Sequence, residues 1–348
     1  ARQEGVFDWM AAIATAAAKG SATRLFLLVY AVGTVVTVFL SNDATAVVLT
    51  PAVYAAARAA AVKDPLPYLF ICAFVANAAS FVLPISNPAN LVVFGGGHMP
   101  PLLDWLRLFT LPSILAILAT YAALRLSQGR ALAAESLAAN VERPALTAAG
   151  KAAGFGIVVT ALVLVGASFA GLDLGLPTLI AGVLTAIAIV ALKRESPMEV
   201  LGNISWSVLP LVAGLFVLVE ALELTGMIRM LADALRETVA HYGTAEAAGI
   251  SGIVVAIVTN LANNLPVGLV AGSAVQQAAV PPTVSAAILI GVDLGPNLSV
   301  TGSLATILWL TALRREGLHV GAWQFLKLGL IVMLPALVLA LAALVWVG

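Results

Sequence analysis

The chain carries the same pair of polar interruptions twice, in the same order and about 221 residues apart. In the first copy, an apolar run is broken at residues 41–45 and again at residues 84–90. In the second copy, the corresponding breaks fall at residues 263–266 and 295–303. Paired interruptions of hydrophobic segments at matching positions in two halves are typical of secondary transporters, where they mark the binding site. The repeat therefore constrains the fold and predicts where the functional residues lie.

The composition predicts a protein that crosses a membrane several times. Hydrophobic residues make up 61% of the chain, charged residues only 10%, and the mean hydropathy is +1.06, whereas soluble domains carry roughly 25% charged residues. Apolar stretches about long enough for a helix to span a bilayer lie at residues 105–126, 151–171, 174–192, 200–222 and 322–346. The predicted fold class is an all-α polytopic membrane protein. The net charge is zero and no basic patch occurs, which argues against a nucleic-acid partner.

The repeat divides the chain into two predicted units joined by a cytoplasmic loop. Repeat one covers residues 1–126, the loop covers residues 127–150, and repeat two covers residues 151–348. Repeat two opens with three helices that have no counterpart before Gly5, so repeat one is predicted to lack its first three helices in this sequence. Each repeat then contains an amphipathic helix, a re-entrant helical hairpin, a broken transmembrane helix and a closing helix. The amphipathic segments, predicted to lie in the membrane interface, are residues 5–20 and 226–242.

The number of crossings predicts that the two repeats have opposite orientations. A full repeat crosses the membrane five times in this scheme, and an odd number inverts the second copy relative to the first. The positive-inside rule gives the same arrangement. With an outward turn at residues 95–98, it places all 17 Lys and Arg residues in the cytoplasm except Arg107, Arg229 and Arg236. Hairpin one then opens from the cytoplasm, hairpin two opens from the opposite face, and the C-terminus lies outside.

Polar side chains at the four breaks predict one substrate site. Irregular backbone inside a membrane is tolerated only where it is buried in protein or lines a watered cavity, so the breaks are expected to surround a common pocket. The predicted substrate-binding residues are Ser41, Asn42, Thr45, Ser86, Asn87, Asn90, Asn263, Asn264, Asn297, Thr301 and Ser303. Their amides and hydroxyls suit a small, neutral, multiply hydroxylated solute. The alternative is that these groups bond only to one another and to the broken backbone.

Two acidic residues within the apolar segments are the predicted proton-coupling residues. Asp43 lies at the tip of hairpin one, and an ionisable residue inside a membrane is a functional hypothesis by default. Its alternative role is a helix N-cap. Asp293 ends the first half of the second broken helix and is either a second proton site or a partner for backbone N–H groups. No catalytic residue, metal site or cofactor is predicted, because Cys72 is the only cysteine and the three histidines share no ligand spacing.

Four motifs resemble those of the bacterial arsenite efflux permeases, which belong to the ion transporter superfamily. The motifs are FLSNDAT at residues 39–45, SFVLPISN at 80–87, DLGP at 293–296 and GSLATILW at 302–309. The resemblance implies export of trivalent arsenite or antimonite, hydrated as neutral trihydroxides, in exchange for protons by alternating access. It also implies a location in the bacterial cytoplasmic membrane and the proton-motive force as the energy source. Members of this family can associate with a soluble arsenical ATPase subunit.

The chain differs from the family pattern in hairpin two. Residues 261–266 read LANNLP where the family commonly has Met-Asn-Asn-Met-Pro, so the polar pair is retained between different apolar neighbours. The chain has no GxxxxGK[ST] loop and cannot itself supply ATP hydrolysis. Its single cysteine also excludes tight binding of arsenic by three thiolates, whereas a site of hydroxyls and amides would release the solute in each cycle.

Two other functions remain open on the sequence. The first is a sodium-coupled dicarboxylate carrier or a sodium/proton antiporter of the same superfamily. No Lys or Arg lies in a break to compensate a dicarboxylate, and a sodium/proton exchanger would more naturally cluster its carboxylates. The second is an intramembrane aspartyl hydrolase that uses Asp43 and Asp293. The chain contains no GxSxG or HExxH motif that would support a hydrolase, and this function would leave the inverted repeat unexplained.

Overall fold

The fold was described from a computed structural model, which covers residues 3–94, 99–135, 137–138, 145–193, 198, 206 and 208–348. No β-strand occurs in these ranges. Several predicted features lie outside the described residues, namely the outward turn at residues 95–98, the cytoplasmic residues Arg2, Arg143 and Arg194, and most of the start of the predicted helix 200–222.

The first copy contains an entry helix, a hairpin, a broken helix and a closing helix. The entry helix is α1 (Val6–Ala18). Hairpin one consists of α2 (Ala22–Phe39), α3 (Asn42–Ala44), a π-helix (Thr45–Leu49) and α4 (Thr50–Ala59). Broken helix one consists of α5 (Leu66–Ala78), a 3-10 helix (Pro84–Ser86) and α6 (Pro88–Phe94). The closing helix is α7 (Leu102–Ser127), and the short α8 (Gly129–Ala133) follows it.

The second copy contains the same element types in the same order after three further helices. These helices are α9 (Ala148–Phe169), α10 (Gly175–Lys193) and α11 (Val208–Leu224), and the entry helix is α12 (Met227–Tyr242). Hairpin two consists of α13 (Thr244–Ala262) and α14 (Asn264–Ala278). Broken helix two consists of α15 (Pro282–Leu294), a 3-10 helix (Gly295–Leu298) and α16 (Leu304–Arg315), and the closing helix is α17 (Ala322–Val347). The inverted orientation of the copies and the division of the chain at residues 126 and 150 stay predictions.

Six helices in the described residues are long and apolar enough to cross a membrane. They are Ala22–Phe39, Leu102–Ser127, Ala148–Phe169, Gly175–Lys193, Thr244–Ala262 and Ala322–Val347. The prediction of an all-α polytopic membrane protein is thereby confirmed. The remaining predicted span, residues 200–222, is observed as α11, in which 17 residues are described from Val208 onward.

The two entry helices differ in how much of their surface is buried. Helix α1 packs on α2 and α4 and buries six residues, including Phe7 and Ala11. Helix α12 buries only Ile228 and Ala232, because charged residues alternate with its apolar ones and remain exposed. The interfacial position predicted for both segments therefore fits the exposure of α12 better than that of α1.

Each hairpin packs against the broken helix of the other copy. Helix α14 of hairpin two lies on α6 of broken helix one, while the π-helix and α4 of hairpin one lie on α16 of broken helix two. The close approach of α14 to α6 requires glycine, since a Cβ on Gly272 would lie 2.9 Å from the carbonyl oxygens of both Val92 and Val93. This crossed packing brings the breaks of both copies together.

Two buried tryptophans secure the backbone around the breaks. The indole Nε1 of Trp105 donates to the carbonyl oxygen of Phe81 at 3.2 Å, within the first broken helix. The Nε1 of Trp309, in α16, donates to the carbonyl oxygen of Leu69 at 2.9 Å. Both side chains are fully buried, so each ring contributes packing area while its N–H group is satisfied.

Candidate functional site

A small cavity lies where the two hairpin tips meet the starts of the two second half-helices. It is lined by Asn42, Asp43, Asn87, Pro88, Asn264, Leu265, Leu304 and Ala305. It is so narrow that only about one water-sized molecule fits. Each copy contributes a hairpin tip and a half-helix start, so the cavity is shared equally between the copies.

The tip of hairpin one presents a carboxylate, that of Asp43, to the cavity. Asn42 Oδ1 accepts from the backbone N–H of Asp43 at 2.8 Å, and Ser41 Oγ accepts from that of Ala44 at 3.2 Å. The Asp43 carboxylate makes no hydrogen bond or ion pair with any described residue, although its side chain is partly buried and lines the cavity. An unpaired carboxylate in such a place is costly unless a proton or a ligand binds to it.

The chain leaves hairpin one's tip through a π-helix at Thr45–Leu49. Short π-helical turns occur frequently at functional sites. Here the turn is supported by hydroxyls, because Thr45 Oγ1 lies 2.8 Å from Thr37 Oγ1 and Thr50 Oγ1 donates to the carbonyl oxygen of Thr45 at 3.4 Å. The corresponding part of hairpin two is regular α-helix from Asn264 onward.

The tip of hairpin two is tied to its own broken helix. Asn263 has φ 69° and ψ 151°, a region that residues other than glycine seldom occupy. Its Nδ2 donates to the carbonyl oxygen of Thr301 at 3.1 Å, and the backbone N–H of Asn264 donates to that of Gly302 at 2.8 Å. The Oδ1 of Asn264 is buried, has no donor among the described residues, and belongs to a side chain that lines the cavity. That oxygen is available to accept a hydrogen bond from a solute.

The two broken helices are joined by amides of opposite copies. Asn77 Nδ2 donates to Asn297 Oδ1 at 2.9 Å, and Asn297 Nδ2 donates to the carbonyl oxygen of Phe74 at 3.3 Å. Asn77 and Asn297 are both fully buried. Asn297 therefore holds the breaks against each other and does not line the cavity.

Asp293 also bonds across the two copies. Its Oδ1 accepts from Asn87 Nδ2 at 2.8 Å, and its Oδ2 lies 2.6 Å from Ser80 Oγ. The Oδ1 of Asn87 in turn accepts from the backbone N–H of Ala89 at 3.0 Å and caps α6. Asn87 thus connects a buried carboxyl group to the cavity that it lines.

Most of the other predicted binding residues support the backbone of the breaks. Ser86 Oγ donates to the carbonyl oxygen of Val38 at 2.8 Å. Asn90 Nδ2 donates to the carbonyl oxygen of Ser80 at 2.8 Å, and Thr301 Oγ1 donates to that of Asn260 at 3.2 Å. Ser303 Oγ accepts from the backbone N–H of Thr306 at 3.1 Å and caps α16. Of the eleven predicted binding residues, the cavity is lined by Asn42, Asn87 and Asn264.

Two residues that the sequence analysis did not single out contribute to the site. Asn77 and Ser80 lie just before the second break of the first copy, at residues 84–90, and contact Asn297 and Asp293 of the other copy. Asn77 is the second-to-last residue of α5, and Asp293 has the same place in α15. Aligning the two broken helices by their ends would have identified Asn77 from the sequence.

The cavity offers amides, one carboxylate and helix N-termini, and no Lys or Arg among the described residues lines it. Helices α6, α14 and α16 all begin at its wall, at Pro88, Asn264 and Leu304, and helix N-termini supply N–H groups and a partial positive charge. In the part of the chain that the structure describes, no group of three or more His, Cys, Asp or Glu residues could hold a metal ion. The arrangement can bind a small polar solute through hydrogen bonds and one proton through Asp43.

Comparisons with known proteins place the chain among membrane transporters. The family model described as citrate transporter matches residues 1–292. The arsenical pump membrane protein of Escherichia coli (strain K12) is 30% identical over 357 aligned residues, which cover 98% of this chain and 82% of that protein. The arsenical pump membrane protein of Yersinia enterocolitica is also 30% identical, with the same coverage of 98% and 82%. An uncharacterized transporter of Mycobacterium tuberculosis (strain H37Rv) is 27% identical, and the alignment covers 98% of this chain and 81% of that protein.

A solved structure shares the fold. The crystal structure of the Alcanivorax borkumensis YdaH transporter, described as having an unusual topology, matches with a TM-score of 0.61. The alignment covers 99% of this chain and 85% of that one at 16% sequence identity. At this identity the likeness concerns the fold alone.

Proposed function

The chain belongs to the citrate transporter family and is a membrane transporter of the arsenical pump type, and from this membership we propose that it exports trivalent arsenite and antimonite across the bacterial cytoplasmic membrane in exchange for protons. The solute would be the neutral trihydroxide. The observation that carries the proposal is the unpartnered Asp43 carboxylate beside a cavity walled by amides.

The chemistry of the cavity matches a neutral trihydroxide. Such a solute has three O–H donors and three oxygen acceptors. The free Oδ1 of Asn264 and the Asp43 carboxylate can each accept one O–H group, while the N–H groups of Asn42 and Asn87 can donate to its oxygens. The neutral hydrogen bonds of this set contribute roughly 0.5–1.5 kcal/mol each, and the one to an ionised Asp43 roughly 1.5–3 kcal/mol. These contributions are small enough for the solute to dissociate after each crossing.

Asp43 provides the coupling in this proposal. An ionised Asp43 accepts a hydrogen bond from the solute, whereas a protonated Asp43 occupies part of the same acceptor site with its own hydrogen. Solute and proton then exclude each other, so each return of the empty site requires a proton. This competition produces antiport when the site opens to the two sides in turn.

Access to the cavity requires a change of conformation, since the space is close to that of one water molecule. The walls belong to two pairs of elements, hairpin one with α16 and hairpin two with α6. Movement of these pairs against the remaining helices would open the cavity to one side at a time. Such movement is the alternating access that the proposal needs.

The name of the matched family favours citrate as a second candidate substrate. A multiply charged carboxylate would gain from cationic side chains, and none of the described cavity-lining residues is Lys or Arg. Among the described residues, the half-helix N-termini are the only positive features at the wall. The same transport assay therefore includes citrate and sodium.

The proposal is tested with everted membrane vesicles under an imposed pH gradient. Parent protein is expected to accumulate arsenite when the vesicle interior is acidic, and Asp43→Asn is expected to reduce this accumulation to the level of vesicles without the protein. Asp104→Asn is the matched control, because Asp104 is an exposed acid that pairs with Arg107 and with no other described residue. Undiminished accumulation by Asp43→Asn would remove Asp43 from coupling. Movement of citrate or sodium without arsenite would overturn the substrate assignment.

A further inference from the structure

The Ser80 hydroxyl has two oxygen neighbours and one hydrogen. Ser80 Oγ lies 2.7 Å from the carbonyl oxygen of Asn77 and 2.6 Å from Asp293 Oδ2, and both are hydrogen-bond distances. A hydroxyl donates once and accepts through its lone pairs, and a carbonyl oxygen never donates. If Ser80 donates to Asn77, the hydrogen between Ser80 and Asp293 must belong to Asp293.

A neutral Asp293 places a hydrogen in every contact of this group. Its O–H donates to Ser80, Ser80 donates to the Asn77 carbonyl, and the remaining oxygen accepts from Asn87 Nδ2 at 2.8 Å. An ionised Asp293 would leave one of the Ser80 contacts as two oxygens in close approach without a hydrogen. Asp293 is 0% exposed, so bulk water does not reach its carboxyl group.

No cation compensates a charge on Asp293 in the part of the chain that the structure describes. Its polar partners are Ser80 and Asn87 alone. The elements packed against α15 are α5, α6, α7, α13, α14, α17 and the adjoining 3-10 helix. Their charged residues are Asp104, Arg107, Arg125, Glu246 and Lys327, and their other titratable residues are Tyr68, Cys72 and Tyr121. None of these bonds to Asp293, and an isolated buried carboxylate is far less stable than the neutral acid.

We infer that Asp293 retains its proton throughout transport and, as a neutral acid, latches the two broken helices together. The latch consists of Asp293 of the second copy with Ser80 and Asn87 of the first. Asp293 is a positioning residue in this arrangement, and Asp43 is the group that exchanges protons. The equivalent place in the first copy holds Asn77, a neutral side chain that also bonds across to the other copy.

The latch acts on the cavity through Asn87. This side chain is held by Asp293 at its Nδ2 and by the backbone N–H of Ala89 at its Oδ1, so its orientation at the cavity wall is determined from both ends. Loss of the Asp293 bond would free the amide to rotate. The inference rests on the proposed function for its transport readout only, because the protonation of Asp293 can be measured without any solute.

The first test compares two isosteric substitutions in the vesicle assay. An amide at position 293 can donate to Ser80 and accept from Asn87, as the neutral acid does. Asp293→Asn is therefore expected to keep gradient-driven arsenite accumulation within about twofold of the parent, while Asp43→Asn loses it. Asp293→Leu, which can make neither bond, is expected to transport poorly and to melt at a lower temperature.

The second test detects the proton directly. Infrared difference spectra at neutral pH, parent minus Asp293→Asn, are expected to show the C=O stretching band of a carboxylic acid, and the contribution of Asp43, which is present in both proteins, cancels. Melting in detergent gives an independent readout. Because the folded parent keeps a proton that the unfolded chain releases above roughly pH 4, raising the pH should lower its melting temperature relative to that of Asp293→Asn.

Three results would overturn the inference. One is Asp293→Asn failing in gradient-driven transport like Asp43→Asn although it folds, which would make Asp293 a cycling proton site. Another is a difference spectrum, parent minus Asp293→Asn, without the acid band. The third is Asp293→Leu matching the parent in both transport and melting, which would remove the latch. If the parent moves no arsenite but shows the acid band, the proposed function fails and the protonated latch stands.

Discussion

The two hairpins occupy equivalent places in the fold but differ in chemistry. Hairpin one brings Asp43 to the cavity and leaves its tip through a π-helix. Hairpin two brings Leu265 to the same cavity and continues as regular α-helix. The polar pair Asn42 and Asn264 is common to both. A repeated frame thus holds one tip with an acid and one without, and in the proposed function this difference lets hairpin one handle the proton while hairpin two contributes only to solute binding.

The largest effect is expected from moving the acid between the hairpins. Asp43→Leu should abolish proton-driven transport, and adding Leu265→Asp should restore part of it, because both side chains line one cavity. Initial rates of arsenite uptake under a pH gradient measure the effect. A double variant as inactive as Asp43→Leu would show that the π-helix and not the cavity alone makes position 43 competent.

Within hairpin two, the contact of α14 with α6 is expected to tolerate added side-chain volume less well than the open face of α13. Gly272→Ala would place a Cβ 2.9 Å from two backbone oxygens and should cost roughly 1–3 kcal/mol of stability. Gly249→Ala, in α13, is the control, because nothing lies within 4 Å of its Cβ position. Thermal unfolding in detergent should separate the two variants. Equal melting temperatures would mean that α14 does not pack on α6 as described.

The two equivalent asparagines should fail in different ways. Asn264→Ala removes a free acceptor and should raise the KM for arsenite by the loss of about one hydrogen bond, roughly 0.5–1.5 kcal/mol, with little change in stability. Asn42→Ala also removes the side chain that accepts from the Asp43 N–H at 2.8 Å. It should therefore lower the melting temperature as well as the affinity. The same pattern in both variants would contradict the described difference between the tips.

The smallest effect on stability is expected from the polar contacts at the ends of the two hairpins, away from the cavity. Glu135 accepts from the backbone N–H groups of Lys63 and Asp64 at 3.2 and 2.9 Å, while Arg236 donates to the carbonyl oxygens of Gln277 and Ala278 at the end of hairpin two. Glu135→Gln keeps one acceptor oxygen and should cost no more than about 1 kcal/mol, as for other exposed charged contacts. Melting curves of Glu135→Gln and Arg236→Gln, measured side by side, show which of the two contacts contributes more to stability.

Part of the site could be read from residue order. Breaks of matching composition predicted the two hairpins and two broken helices, and the polar residues at the tips included Asn42, Asp43 and Asn264. The sequence could not predict which polar residues face the cavity. Ser86, Asn90 and Asn297 are of the same polar types as the cavity-lining residues and lie in the same breaks, yet they bond to backbone or to the other copy. Asn77 and Ser80 were missed as site residues because they precede the second break of the first copy, at residues 84–90.

By itself the sequence determined an all-helical membrane protein with two sets of polar breaks and one acid at a hairpin tip. Periodicity, hydropathy and turn residues act over short stretches of chain, and these suffice for such features. Only the tertiary structure decided that each hairpin packs on the broken helix of the other copy, that Asp293 bonds to Ser80 and Asn87, and that Asp43 stays unpaired. The Asp293 contacts join residues more than 200 positions apart, and the partners in all these contacts are selected by packing rather than by any local pattern.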